Sequence, residues 1–210
     1  MSESPYVEEL TSNQYRFLSG YGMIAVLTLR RKKTRNGLEF RHVLDRDGEL
    51  KTILREMPSY TDNPRLDMTQ FEKYLSNDGA LATLWYGCFD EGKCMALAVL
   101  KRYHDDGIIL LAEIQSAVKG YGKPLIENIL RRAGNIWWCA DPDGGEDLVS
   151  YYRQFARLGV KEHLIRRSKW VNGVPEYAFY KAEDFESEKI ILDTLDMADM
   201  ESPRFSSKIL

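Results

Sequence analysis

The sequence predicts an α+β fold in which helices flank a mixed central sheet. Three observations carry that prediction. Apolar runs at residues 80–90, 94–104 and 107–116 are joined by turns too short for anything but antiparallel neighbours. The third run leads through Gly120, Gly122 and Pro124 into a helical stretch and then a further apolar run, "NIWWCA". Strand, helix, strand in that order implies a right-handed crossover and parallel pairing. Lastly, Asn36-Gly37 and Asn172-Gly173 each stand between strand-like runs, a dipeptide suited to tight hairpin turns.

Taken in order, residues 1–20 are polar and mixed, and residues 23–45 form the first hairpin. Short helical stretches follow at 47–57 and 67–77; in the second, Asp67 is placed to cap a helix whose apolar stripe is Phe71, Tyr74 and Leu75. After the three-run meander, the helix behind the glycines carries Leu125, Ile126, Ile129 and Leu130 at helical spacing. "NIWWCA" sets Trp137 and Trp138 on opposite faces of a strand. Residues 146–159 read as an amphipathic helix with Leu148, Tyr152, Phe155 and Leu158 on one side and Gly159 closing it. The second hairpin spans 161–181. Residues 1–182 make one domain with a variable N-terminal part, and 183–210 an acidic extension. Ile191, Leu192, Leu195 and Met200 could dock that extension on its own domain or on a second subunit of a homodimer, or leave it free.

The bulk composition excludes several classes. The 210 residues are 44% apolar and 29% charged, with no run long enough to span a membrane and no signal-peptide core at the N-terminus. Cys88, Cys94 and Cys139 lack metal-ligand spacing and read as reduced thiols of a cytoplasmic protein, so no metal is assigned. A net charge of −3 gives no global electrostatic argument for nucleic acid, which is not expected as a partner. The basic run "RRKKTR" at 30–35 reads as a solvated hairpin tip, with an acidic or nucleic-acid partner as the alternative.

The chemistry gathers at Ala117-Val118-Lys119-Gly120-Tyr121-Gly122-Lys123-Pro124. Free N–H groups at a helix start, a dipole of about half a positive charge and the absence of Cβ atoms make such a turn an anion cradle. The alternative is an ordinary strand-to-helix turn with solvated lysines. On the meander, this turn, and the helix, strand, helix and hairpin that follow, residues 80–181 resemble the GCN5-related N-acetyltransferase (GNAT) family, whose phosphate loop has the pattern Gln/Arg-x-x-Gly-x-Gly/Ala. Both glycines match; Ala117 stands at the Gln/Arg position, where Lys119 or Lys123 could substitute. The resemblance implies an acyl-CoA N-acyltransferase fold with splayed parallel strands. It further implies acetyl-CoA as cosubstrate and an amine acceptor that the sequence does not identify. Amides from Val118 through Lys119, Gly120, Tyr121 and Gly122 to Lys123 would hold the pyrophosphate, and Ile114, Gln115 and Ser116 the pantetheine arm.

Direct attack of an amine on the thioester needs a base and is helped by an acid. Glu113 and Gln115 share one strand face. Glu113 is then either a cleft base or an outward solvated carboxylate. The family's general-acid tyrosine corresponds to Phe155, which has no proton to give, leaving Tyr151 and Tyr152 as candidates beside the reading that both are packing aromatics. Asp141, Asp143, Glu146 and Asp147 could attract a cationic amine or cap the helix that follows. Two other readings stay open: a non-catalytic binding protein of the same fold, and a nucleic-acid-directed modifier anchored by the basic run.

Overall fold

Short turns and two helical crossovers set the order of the sheet. In the computed structural model, residues 32–33, 37–43, 48–75, 83–103, 107–141, 144–165 and 176–200 are described. The elements are β1 (Lys32–Lys33), β2 (Glu39–Val43), α1 (Glu49–Glu56) running into a 3-10 turn, α2 (Thr69–Leu75), β3 (Thr83–Asp90), β4 (Lys93–Tyr103) and β5 (Ile108–Ser116). Then come α3 (Gly122–Leu130), β6 (Ile136–Cys139), α4 (Gly145–Arg153) running into a second 3-10 turn, β7 (Lys161–Ile165), β8 (Glu176–Lys181) and α5 (Phe185–Met200). The strands form one sheet of order β1-β2-β3-β4-β5-β6-β8-β7. Pairing is antiparallel throughout except between β5 and β6.

The turns follow from their residues. Glu91 and Gly92 both have positive φ, 47° and 82°, which matches the twist of β3 and β4. Gly37 at φ 79° supports the first hairpin, in which Lys32 pairs with Phe40 and Lys33 with Glu39. The run at 23–31, the rest of the basic stretch, Asp143 and the Asn172-Gly173 turn lie outside the described residues. The second hairpin is seen in its strands, from Lys161↔Tyr180 to Ile165↔Glu176.

Helices cover both faces. Leu125, Ile126, Ile129 and Leu130 of α3 pack with Leu148, Tyr152 and Phe155 on one face, around Trp138. On the other face Leu50 and Ile53 of α1 and Phe71 of α2 cover Trp85, Leu97 and Val99. Beside them, Ile191 and Leu195 of α5 are buried with Trp137 and Tyr180, so the late helix docks on its own sheet. Three expectations need adjusting. Leu75, the last residue of α2, is 40% exposed while Phe71 is buried. The 146–159 helix tightens to 3-10 form from Gln154 to Leu158 before Gly159 ends it at φ 83°. Pro124 is the third helical residue rather than the first, still within the turn whose N–H groups lack helical partners.

Lys181 ties the last strand to the α3 helix. Its ammonium donates to the carbonyls of Leu130 and Ala133 at 2.9 and 3.0 Å, where the helix dipole is negative. We expect Lys181→Met to lower unfolding stability by about 1–2 kcal/mol in urea titration, as for other charge-assisted bonds to a helix end.

Candidate functional site

The two parallel strands share very little. β5 meets β6 at Ile109↔Ile136 and Leu110↔Trp137, after which the edge of β5 from Leu111 to Ser116 is left uncovered by β6. On its other side β5 stays paired with β4, but with a register break between Val99 and Leu100 that leaves Ala112 as an extra residue. Tyr74 of α2 takes up the carbonyl of that bulged residue through its hydroxyl at 3.1 Å. Beyond the bulge, the Ala117 N–H donates to Met95 of β4 at 2.9 Å, so by alternation the N–H and C=O of Ile114 and Ser116 point into the gap. A gap edged with strand amides that β6 does not pair suits an extended ligand that brings amides of its own.

Glu113 and Gln115 lie on the α2 side, both buried, with the Gln115 Nε2 3.4 Å from Glu113 Oε1. Glu113 Oε2 has no hydrogen-bond partner among the described residues. Burial pushes this carboxyl up from 4.5 to about 8, against the smaller opposing pull of Gln115 and Lys73. Gln115 also holds the loop before α2: its Oε1 accepts from the Asp67 N–H at 2.7 Å and its Nε2 donates to the Asp67 carbonyl at 2.8 Å. Asp67 in turn accepts from the Thr69 N–H at 3.1 Å and so starts α2, as its sequence position suggested.

The turn behind β5 divides the work of its two glycines. Gly120 sits at φ 95°, a backbone that side chains rarely adopt, so the turn itself requires it. Gly122 has no such φ, and a Cβ there would make ordinary contacts, 3.7 Å from Ser116 Cβ and 3.8 Å from the Tyr151 hydroxyl. Nothing in the folding of the chain demands a glycine at 122. The missing methyl leaves space over the first turn of α3, where the N–H groups of Gly122 and Lys123 precede any helical acceptor. Lys119 and Lys123 stand exposed beside it, Ala117 is buried beneath it, and Val118 is half-buried. The Tyr121 hydroxyl donates to Asp90 at 2.5 Å, which ties the turn to the β3–β4 hairpin.

The two tyrosines part company. Tyr151 is half-buried with its hydroxyl beside Gly122, and burial raises its pKa to about 12. Tyr152 is fully buried against Trp138 and Phe179, and its hydroxyl has no partner among the described residues. Phe155 is wholly in the core. Glu146 and Asp147 lie in the first turn of α4, where they complement its dipole, and Glu146 pairs with Arg153. Lys73 and Tyr74 of α2 and Asp62 and Asn63 of the preceding loop also reach the β5 end; their spacing from it in sequence gives no sign of this.

No protein-family model matches the sequence, and no curated protein is similar to it. Solved structures are similar in fold. An acetyltransferase assigned to the GNAT family, from Bacteroides thetaiotaomicron, superposes with a TM-score of 0.50 at 13% identity, over 78% of this chain and 97% of its own. A second, from Desulfovibrio desulfuricans, gives 0.50 at 12% identity, over 70% and 99%.

The buried carboxyl has a consequence for stability. The folded chain keeps the Glu113 proton to about pH 8, whereas an unfolded chain releases it near 4.5. Between those values the native state binds the extra proton, so stability falls as pH rises through the window. Glu113→Gln should therefore melt higher than wild type at pH 9, with the difference shrinking toward pH 5; equal melting points at pH 9 would mean the carboxylate is solvated.

Proposed function

We propose that this chain, whose fold is that of the GCN5-related N-acetyltransferases, transfers an acetyl group from acetyl-CoA to a primary amine. The observation that carries the reading is Gly122, a glycine at a helix start that the backbone does not need, beside a strand edge that β6 leaves uncovered. The substrate's pyrophosphate would lie on the N–H groups from Val118 to Lys123, with Lys119 and Lys123 supplying charge that Ala117 cannot. Its pantetheine arm would continue the sheet along Ile114 and Ser116, opposite the side taken by β4. Acetyl-CoA brings the thioester; the chain supplies position and proton handling.

In this reading the amine nitrogen attacks the thioester carbonyl carbon, the C–S bond breaks, and the thiolate leaves. Holding the two reactants in line supplies much of the rate. Glu113 accepts the proton lost by the amine, directly or through one water. Its raised pKa suits that task, because a base near 8 is strong enough to take the proton and still partly ionised at neutral pH. Tyr151, with its hydroxyl beside Gly122, would meet the pyrophosphate end of the ligand rather than the sulfur, Tyr152 acts in packing, and the thiolate leaves without a tyrosine acid. A non-catalytic reading draws on the burial of Phe155 where the family carries its acid. Consumption of acetyl-CoA against a panel of amines separates the two.

Thermal melts test the cradle. CoA at 100 times its dissociation constant should stabilise the wild type by about 2.7 kcal/mol. Gly122→Val should lose that shift, and Gly122→Ala should weaken it, while the ligand-free melt of the alanine variant stays near wild type. Gly120→Ala should instead cost about 1–2 kcal/mol without ligand, from the left-handed backbone. A wild-type melt unmoved by millimolar CoA would sink the acyltransferase reading.

Kinetics test the proton path. kcat/KM should rise with pH through about 8 as Glu113 ionises. Glu113→Gln should flatten that limb and lower turnover about 10²-fold. Tyr151→Phe should weaken CoA binding and leave turnover at saturation near wild type; Tyr152→Phe should leave transfer intact and raise stability by about 1 kcal/mol, since it removes an unpaired buried hydroxyl.

A further inference from the structure

Three consecutive residues of the loop ahead of α2 reach onto the end of β5 and the turn behind it. Asn63 Nδ2 donates to the Ser116 carbonyl at 2.8 Å. The Ala117 carbonyl accepts from Thr61 Oγ1 at 2.7 Å and from the Asp62 N–H at 3.1 Å. Asp62 Oδ1 accepts from the Lys119 N–H at 2.8 Å. The Ser116 carbonyl belongs to the open edge of β5, and the Lys119 N–H belongs to the anion cradle. A side-chain amide therefore stands where an extended ligand would place its own amide. A carboxylate stands where that ligand would place a phosphate oxygen.

The segment is anchored on both sides. The Tyr60 hydroxyl donates to the Cys94 carbonyl at 2.9 Å, and Gln115 grips both backbone groups of Asp67. Between those anchors, the Asp62–Lys119 bond is exposed and can break without disturbing the core. An N–H shared with a carboxylate is a poor site for a second anion, because two like charges in contact repel and compete for one donor.

We infer that Thr61–Asn63 is a strap that fills, in the ligand-free chain, the hydrogen-bonding positions of the pyrophosphate and of a pantetheine amide, and that acyl-CoA binds by displacing it. The inference rests on the acyl-CoA reading above. Displacement exchanges one set of bonds for another at the same strand end, and the anchors at Tyr60 and Asp67 keep the strap beside the site, ready to return when product leaves.

Calorimetric titration with CoA and with pantetheine, which has no phosphate, tests the strap on wild type, Asp62→Ala and Asn63→Ala. Asp62→Ala should bind CoA about tenfold more tightly, the order expected for removing one competing charge-assisted bond, with pantetheine affinity unchanged. Asn63→Ala should bind both ligands more tightly. Amide hydrogen exchange of Lys119 in the free protein gives a ligand-independent check: it should be protected in wild type and lose that protection in Asp62→Ala. Unchanged or weaker CoA binding by Asp62→Ala overturns the strap and leaves the acyl-CoA reading intact. CoA binding by none of the three proteins overturns that reading and the strap with it. A Lys119 amide that exchanges freely in wild type overturns the strap whatever binds.

Discussion

The parting of β5 and β6 beyond Leu110 and Trp137 is the constraint on which the rest of the molecule depends. Each strand is claimed from its far side, β5 by β4 out to Ser116 and β6 by β8 along its whole length. Neither can follow the other once the sheet twists, and the extra residue at Ala112 adds to that twist. Parting leaves backbone donors and acceptors on Ile114 and Ser116 that must find partners somewhere. The side chain of Asn63 answers one of them. A ligand laid along the same edge would answer them all.

Around that gap the chain breaks several of the local rules it keeps elsewhere. Glu113 is a wholly buried acid with one oxygen unpaired, and Gly122 is a helical residue without a conformational need to be glycine. Tyr152 adds a buried hydroxyl with no partner among the described residues. The surrounding core of Phe179, Leu125 and Leu148 is conventional by comparison. Departures of this kind gather where function is paid for by the rest of the fold. The α2 helix limits the damage: Tyr74 takes up the bulge carbonyl, and Lys73 partly offsets the desolvation of Glu113.

Much of this was legible in the residues, because local chemistry dictated it. The tight turn at Glu91-Gly92, period-two alternation and the helical spacing of Leu125, Ile126, Ile129 and Leu130 depend on neighbours a few positions away. Glu113 and Gln115 share a face as their spacing implied, since the bulge at Ala112 falls before both. Had it fallen between them, the same spacing would have put them on opposite faces. The bulge itself has no sequence mark, as nothing distinguishes Ala112 from a regular strand residue. Nor does the sequence reveal that β8 slips between β6 and β7, or that Asp62 meets Lys119 across 57 positions. Those outcomes belong to the packing of whole elements.

The placement of α5 bears on how the gap comes into being. β6 is held along one side by β8 and from the outer face by Ile191 and Leu195, which bury Trp137. Both supports are synthesised after β6, and the helix is the last described element of the chain. A nascent chain emerging N-terminus first can complete the β2–β5 meander and cover it with α1 and α2 well before the far wall of the gap has its supports. The gap is thus the last part of the molecule to become rigid at birth, and a chain that stops short of α5 would carry every described strand yet lack the Ile191 and Leu195 cover over Trp137.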